Sequence, residues 1–133
     1  MRYFRILTVL SLIFTFLSCK EEAHPEYEQF LIRIDSVKVP ESIVTNKPFD
    51  IEFYGTVGTN GCYKFREFKT EKTESEIFVE TWGQVNKSTG ICPEVMVLLQ
   101  GKKLNCTIER SGNYTLKVRQ PDGSYLKKNI HVD

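Results

Sequence analysis

Between Phe49 and Val57 the chain alternates apolar and polar side chains: Phe49, Ile51, Phe53 and Val57 fall on one phase, Asp50, Glu52, Tyr54 and Thr56 on the other. Period two is the mark of a half-buried strand, because successive side chains of an extended backbone point to opposite faces. The same alternation places Phe30, Ile32 and Ile34 opposite Leu31, Arg33 and Asp35, and it returns in Glu76 to Val85. Cys62 to Phe68 reads as a strand, Thr70 to Ser75 as a charged connection, and Val95 to Leu99 as a continuous apolar run suited to a buried strand. Leu104, Cys106 and Ile108 share one face, as do Tyr114, Leu116 and Val118, and Pro121-Asp122-Gly123 turns the chain into Ser124 to Val132. Gln100-Gly101-Lys102-Lys103 reads as a further turn. No helical period interrupts the pattern. Seven or eight short strands spaced in this way predict an all-β, antiparallel β-sandwich or barrel.

Ahead of the strands, Arg2 and Arg5 precede an apolar run from Ile6 to Leu17, which ends at small Ser18. This is the layout of an export signal. The run falls short of the roughly 20 apolar residues needed to span a bilayer, and charge follows it directly. Phe16-Leu17-Ser18-Cys19 resembles a loose lipobox, and Cys19-Lys20-Glu21-Glu22 resembles the surface-export signal of Bacteroidota-type lipoproteins. The resemblance implies that Cys19 is acylated and becomes the first residue, with the membrane as partner through the lipid. It further implies that Lys20, Glu21 and Glu22 route the protein to the outer face of the outer membrane. Phe16 stands where the lipobox usually has Leu. The chain then divides into a lipoprotein signal peptide at 1–18, a lipidated cysteine and acidic tether at 19–29, and one domain at 30–133. Fully extended, the polar stretch from Lys20 to Glu28 would reach about 30 Å.

Gly112-Asn113-Tyr114-Thr115-Leu116-Lys117-Val118, followed by a tight hairpin, resembles the last two strands of bacterial immunoglobulin-like domains. The resemblance implies an immunoglobulin-like sandwich with Tyr114 as a tyrosine corner, its hydroxyl bonded back to nearby backbone. The usual disulfide of that family joins the second and penultimate strands, and here neither Phe49 to Val57 nor Tyr114 to Gln120 contains a cysteine.

With Cys19 on the lipid, Cys62, Cys92 and Cys106 remain for an oxidising compartment. A hairpin turn at Gln100 to Lys103 would set Val97 opposite Cys106 and carry Cys92 away from it. Cys106 also shares its face with Leu104 and Ile108, so it reads as a buried free thiol. By elimination Cys62 and Cys92 are the best disulfide pair, with an intermolecular bridge as the alternative. A redox role is disfavoured because the chain has no Cys-x-x-Cys.

Other chemistries find little support. The chain carries 18 basic and 17 acidic residues, interleaved in sign as in Arg66-Glu67 and Glu71-Lys72, so it lacks the clustered cations of a nucleic-acid protein. The only histidines, His24 and His131, form no recognised ligand spacing, and no metal or other cofactor is expected. There is no nucleophile elbow and no phosphate-cradling glycine loop. Glu67, Glu71, Glu74, Glu76 and Glu80 read as solvated charge, and no catalytic residue is assigned.

The aromatic residues carry the stronger functional hint. Tyr54 lies on the polar phase of its strand, and Phe78 and Trp82 share a phase with Glu80. If these point outward they form a patch for a sugar ring or a partner protein; the competing reading places Trp82 in the core. Asp35-Ser36-Val37 resembles the O-glycosylation motif of the same lipoprotein group and points to Ser36. Asn86-Lys-Ser, Asn105-Cys-Thr and Asn113-Tyr-Thr match the eukaryotic N-glycosylation pattern, a coincidence in a bacterial lipoprotein. The leading expectation is a non-enzymatic binding or structural accessory module on the outer membrane, with a protein or glycan ligand. A hydrolase inhibitor is the alternative, presenting Gly58 to Gly61 and Asn86 to Gly90. Of the Asn-Pro-Thr-Thr-Gly loop of chagasin-like inhibitors, Thr59-Asn60-Gly61 matches only a fragment.

Overall fold

The computed structural model describes residues 25–88 and 90–133. The expected signal segment, Cys19 and Lys20-Glu21-Glu22 lie outside them. Eight strands follow one another: β1 (Tyr27–Leu31), β2 (Arg33–Lys38), β3 (Pro48–Gly58), β4 (Tyr63–Lys72), β5 (Glu76–Asn86), β6 (Val97–Thr107), β7 (Gly112–Arg119) and β8 (Tyr125–Val132). They form an all-β sandwich with no closed barrel.

One sheet has three strands in the order β2-β3-β6. The other has five, with β5 at its centre. β4 pairs along one edge of β5, while β1 and the β7-β8 hairpin divide the other edge between them: β1 runs against Trp82 to Asn86, and β7 against Glu76 to Val79. The β5–β7 pairing is parallel and the remaining pairings are antiparallel.

The core follows from the period-two phase. Phe49, Ile51, Phe53 and Val57 of β3 point inward against Ile77, Val79, Leu116 and Val118 of the facing sheet, and Ile32, Ile34, Ile130 and Val132 complete the buried cluster. Each large side chain buried in this way contributes roughly 1.5–3 kcal/mol. Cys106 lies within the same cluster as a free thiol, and burial pushes its pKa up. It behaves as a small apolar side chain rather than a nucleophile.

β1 and β2 form one continuous run that changes sheets. The Ile32 N–H donates to the Thr81 carbonyl at 2.8 Å, still in the five-stranded sheet, and from Arg33 onward the chain pairs with β3. The ladder slips between Ile34 and Ser36, and β2 is the edge of its sheet, so the Ile34 groups that face away from β3 need other partners. Gln120, buried at the end of β7, supplies them: Ile34 N–H donates to its Oε1 at 3.1 Å, and its Nε2 donates to the Ile34 carbonyl at 3.2 Å. The side-chain amide thus acts as one rung of ladder between the two sheets.

Four boundaries differ from expectation. Thr70 to Lys72, expected in a charged connection, extend β4 because they pair with Ile77 to Val79. Gln100 to Lys103 is not a turn: β6 pairs with β3 through this stretch, and Gly101, at φ 71°, is the extra residue of a bulge between the Phe53–Lys102 and Tyr54–Gln100 pairs. A left-handed glycine lets a strand absorb one residue and continue, so the residue types of a turn here serve a bulge. The hairpin argument for Cys106 therefore fails although its burial stands. Tyr27 to Gln29, expected in the tether, belong to β1 because they pair with Gln84 to Asn86. Val95 and Met96, expected in a buried strand, are exposed and precede β6. The tyrosine corner is present, with the Tyr114 hydroxyl donating to the Arg110 carbonyl at 3.0 Å.

Gln120→Ala leaves the buried Ile34 N–H and C=O unpaired and is expected to cost about 2–4 kcal/mol, measurable as a lowered urea midpoint. Gln120→Leu, which restores volume without hydrogen bonds, should recover little of that loss.

Candidate functional site

Two surfaces stand apart from the rest. The first is the outer face of the five-stranded sheet. Inward Ile77, Val79 and Thr81 force Phe78, Glu80 and Trp82 outward on the central strand. Phe78 and Trp82 are half-buried against neighbouring strands rather than in the core, so the reading of Trp82 as a core residue does not hold. The Trp82 indole N–H donates to Glu80 at 2.9 Å, and Lys69 of β4 lies over the ring at 4.7 Å from its centroid. Phe78 meets Tyr125 edge-on at 6.3 Å, and Lys117 lies over it at 5.2 Å.

Glu80 joins the two halves of this face. Arg119 of β7 donates to it at 2.7 Å. That hydrogen bond, followed by the one from Trp82, holds the Glu80 carboxyl below its ordinary pKa, and the same contact raises Arg119. Lys69, Thr70, Glu71, Phe78, Glu80, Arg119 and Tyr125 border a shallow depression. Rings alternating with paired charges, on a sheet braced on both sides, can take a ligand with a flat ring or apolar edge beside polar groups. Tyr54 does not contribute, since it lies on the outer face of the other sheet, its hydroxyl on Glu52 at 2.7 Å and Lys38 over its ring.

The second surface is one end of the sandwich. Cys62 and Cys92 are joined, Cα atoms 5.4 Å apart. The bond clasps the loop after β3 to the loop after β5, and Gly61 N–H donates to the Pro93 carbonyl at 2.8 Å. The two loops expected of an inhibitor thus meet at one end. Glu26 also reaches this end: its N–H donates to Ser88 Oγ at 2.5 Å, and its carbonyl accepts from Lys87 N–H at 2.8 Å. Beyond the clasp Ile91, Val95 and Met96 are 89%, 53% and 60% exposed.

The other candidates are dispersed. Ser36 is exposed beside the β2 bulge. His131 contacts Asn113 at 2.8 Å and Asp133 at 3.3 Å. Among the described residues no group of three or more His, Cys, Asp or Glu could hold a metal ion. Arg119, Lys69 and Tyr125 were not singled out by sequence reading; the parallel register that brings β7 beside β5 has no local signature. No family model, curated protein or solved structure matches the chain.

Removing the clasp with Cys62→Ser and Cys92→Ser together is expected to cost about 3–4 kcal/mol for a loop closed over a separation of 30 residues, read by chemical denaturation. The Glu80 contribution has a defined sign. A lowered folded-state pKa means stability present above the ordinary glutamate value and lost as pH falls through the lowered one. Trp82 is the only tryptophan, so its emission should titrate with a midpoint below the ordinary glutamate range, and Arg119→Ala should move that midpoint upward.

Proposed function

We propose that this chain is a non-enzymatic lipoprotein of the bacterial outer membrane, anchored through Cys19 and facing the exterior. It carries an immunoglobulin-like sandwich that serves as a binding module. The lipobox-like Phe16 to Cys19 and the Lys20-Glu21-Glu22 run support the anchor and the address. The Tyr114–Arg110 corner supports the immunoglobulin-like assignment.

The single observation that carries the binding role is the outward Phe78–Glu80–Trp82 column. Aromatic side chains on the outer face of a sheet gain little for the core, and here hydrogen bonds and cations from both neighbouring strands hold them in place. A glycan is the second reading of the same face, favoured by two rings roughly 13 Å apart along one strand, a spacing that could address successive sugars. The inhibitor reading draws its support from the clasped loops.

Trp82→Ala and Phe78→Ala should each lower stability by about 1–3 kcal/mol, the scale of a half-buried ring and, at Trp82, of its hydrogen bond to a charged group, and abolish retention of the ligand. A glycan array and pull-downs from intact cells with the lipidated protein, wild type beside each variant, provide the test. Binding that survives both substitutions would remove this face from the function. Stoichiometric inhibition of a protease panel, unaffected by them, would transfer it to the loops.

A further inference from the structure

Among the described residues seven large apolar side chains are exposed, and five of them, Tyr27, Ile91, Val95, Met96 and Leu98, gather at one end of the sandwich. Val44 and Tyr125 lie elsewhere, Val44 next to Thr45, whose N–H donates to the carbonyl of Asp133. The end they share is set by the strands. Tyr27 begins β1 opposite Asn86, the last residue of β5; Val97 begins β6 opposite Gly58, the last of β3. The clasped loop from Lys87 to Met96 lies between them, and the Cys62–Cys92 bond and the Gly61–Pro93 hydrogen bond brace it.

The chain enters the domain at this same end. Glu26 is hydrogen-bonded on both sides to Lys87 and Ser88 at the base of the loop. Cys19 precedes Pro25 by a stretch that can span at most about 20 Å. A lipid on Cys19 therefore holds the apolar end within about that distance of the bilayer surface. At so short a tether the local concentration of membrane is high, and a contact too weak to recruit the domain from solution becomes populated.

We propose that this end is a membrane-contacting surface: Ile91, Val95 and Met96 rest in the interfacial layer of the bilayer that holds the Cys19 lipid, with Tyr27 at its rim. The inference rests on the anchor proposed above. A short apolar loop gains free energy at the interface in proportion to the area it buries, and tyrosine suits the headgroup level because one end of its side chain is apolar and the other polar. Charges limit the depth. Glu94 is exposed within the loop, and Lys87 and Glu28 pair at 3.1 Å beside it, so the loop sits among headgroups and not in the acyl core. The lipid would thereby set the orientation of the domain, and the disulfide would hold the loop in the shape that presents these side chains.

The test uses the full chain, acylated at Cys19 and reconstituted in phosphatidylcholine vesicles with bromine on chosen acyl carbons. With Trp82→Phe as background, Met96→Trp, and separately Ile91→Trp, places the sole indole at the proposed contact; both positions are exposed, and circular dichroism checks the fold. Shallow bromines should quench each indole roughly twofold, deep bromines less, as expected for a loop about 5–10 Å into the headgroup boundary. Native Trp82 in the unsubstituted chain should be unaffected. If the protein floats with the vesicles but neither indole is quenched, the contact is overturned while the anchor stands, and the apolar end falls to a protein partner. If the chain carries no acyl mass and does not float, the anchor and the contact fall together.

Discussion

The arrangement of the sandwich depends on a change of sheet within one extended run. β1 belongs to the five-stranded sheet and β2 to the three-stranded one, yet only Ile32 lies between them. A backbone that leaves one ladder for another exposes polar groups to a dry interior, where each unpaired one costs on the order of 1–3 kcal/mol. Ile32 resolves half of the problem by bonding to Thr81, and Gln120 resolves the other half with both ends of its amide on Ile34. Because Gln120 stands at the end of β7, this link also determines where the β7-β8 hairpin stops, which leaves the rest of the β5 edge to β1.

That division of the β5 edge creates the outer face. Parallel pairing of β7 sets Val118 opposite Val79, so Arg119 comes beside Glu80 and reaches its carboxylate. β4, antiparallel on the other side, sets Lys69 opposite Glu80 and within reach of the Trp82 ring. The column of outward side chains on β5 therefore receives a cation from each flank. Such pairs add little stability at a surface; their effect here is to hold the rings at fixed angles.

What was legible in the sequence is what period two encodes. The inward phase of β3 and the shared phase of Phe78, Glu80 and Trp82 could be read because each rests on neighbours two residues apart; which way the second phase points could not, since a large aromatic ring suits a core as well as an outer face. Tyr114 could be read because its partner, Arg110, is local. Strand partners and bulges were not legible. Gly101-Lys102-Lys103 has the composition of a turn, and only the cross-strand register with β3 shows that the glycine is absorbed as a bulge. In the same way Val95 and Met96 read as core because they are apolar, whereas the covalent clasp at Cys92 holds this part of the chain outside the sheet until Val97. Arg119 escaped notice because the contact that matters lies 39 residues away.

The positions of the two surfaces constrain each other. The strands run from the clasped end toward the end that carries Lys72, Thr107 and the C-terminal Asp133, and Lys72 donates to the Thr107 carbonyl there at 2.8 Å. If the anchor holds the clasped end at the bilayer, the strands stand away from the membrane and the Phe78–Glu80–Trp82 face is turned sideways. A ligand then approaches along the plane of the membrane, where neighbouring membrane proteins and surface glycans are found. A face turned toward the bilayer would be occluded by it, and one at the far end would need a longer tether to meet a membrane-bound partner. With the anchor as proposed, the lateral face stays open to a ligand, whereas an inhibitor acting through the clasped loops would need that end held clear of the bilayer.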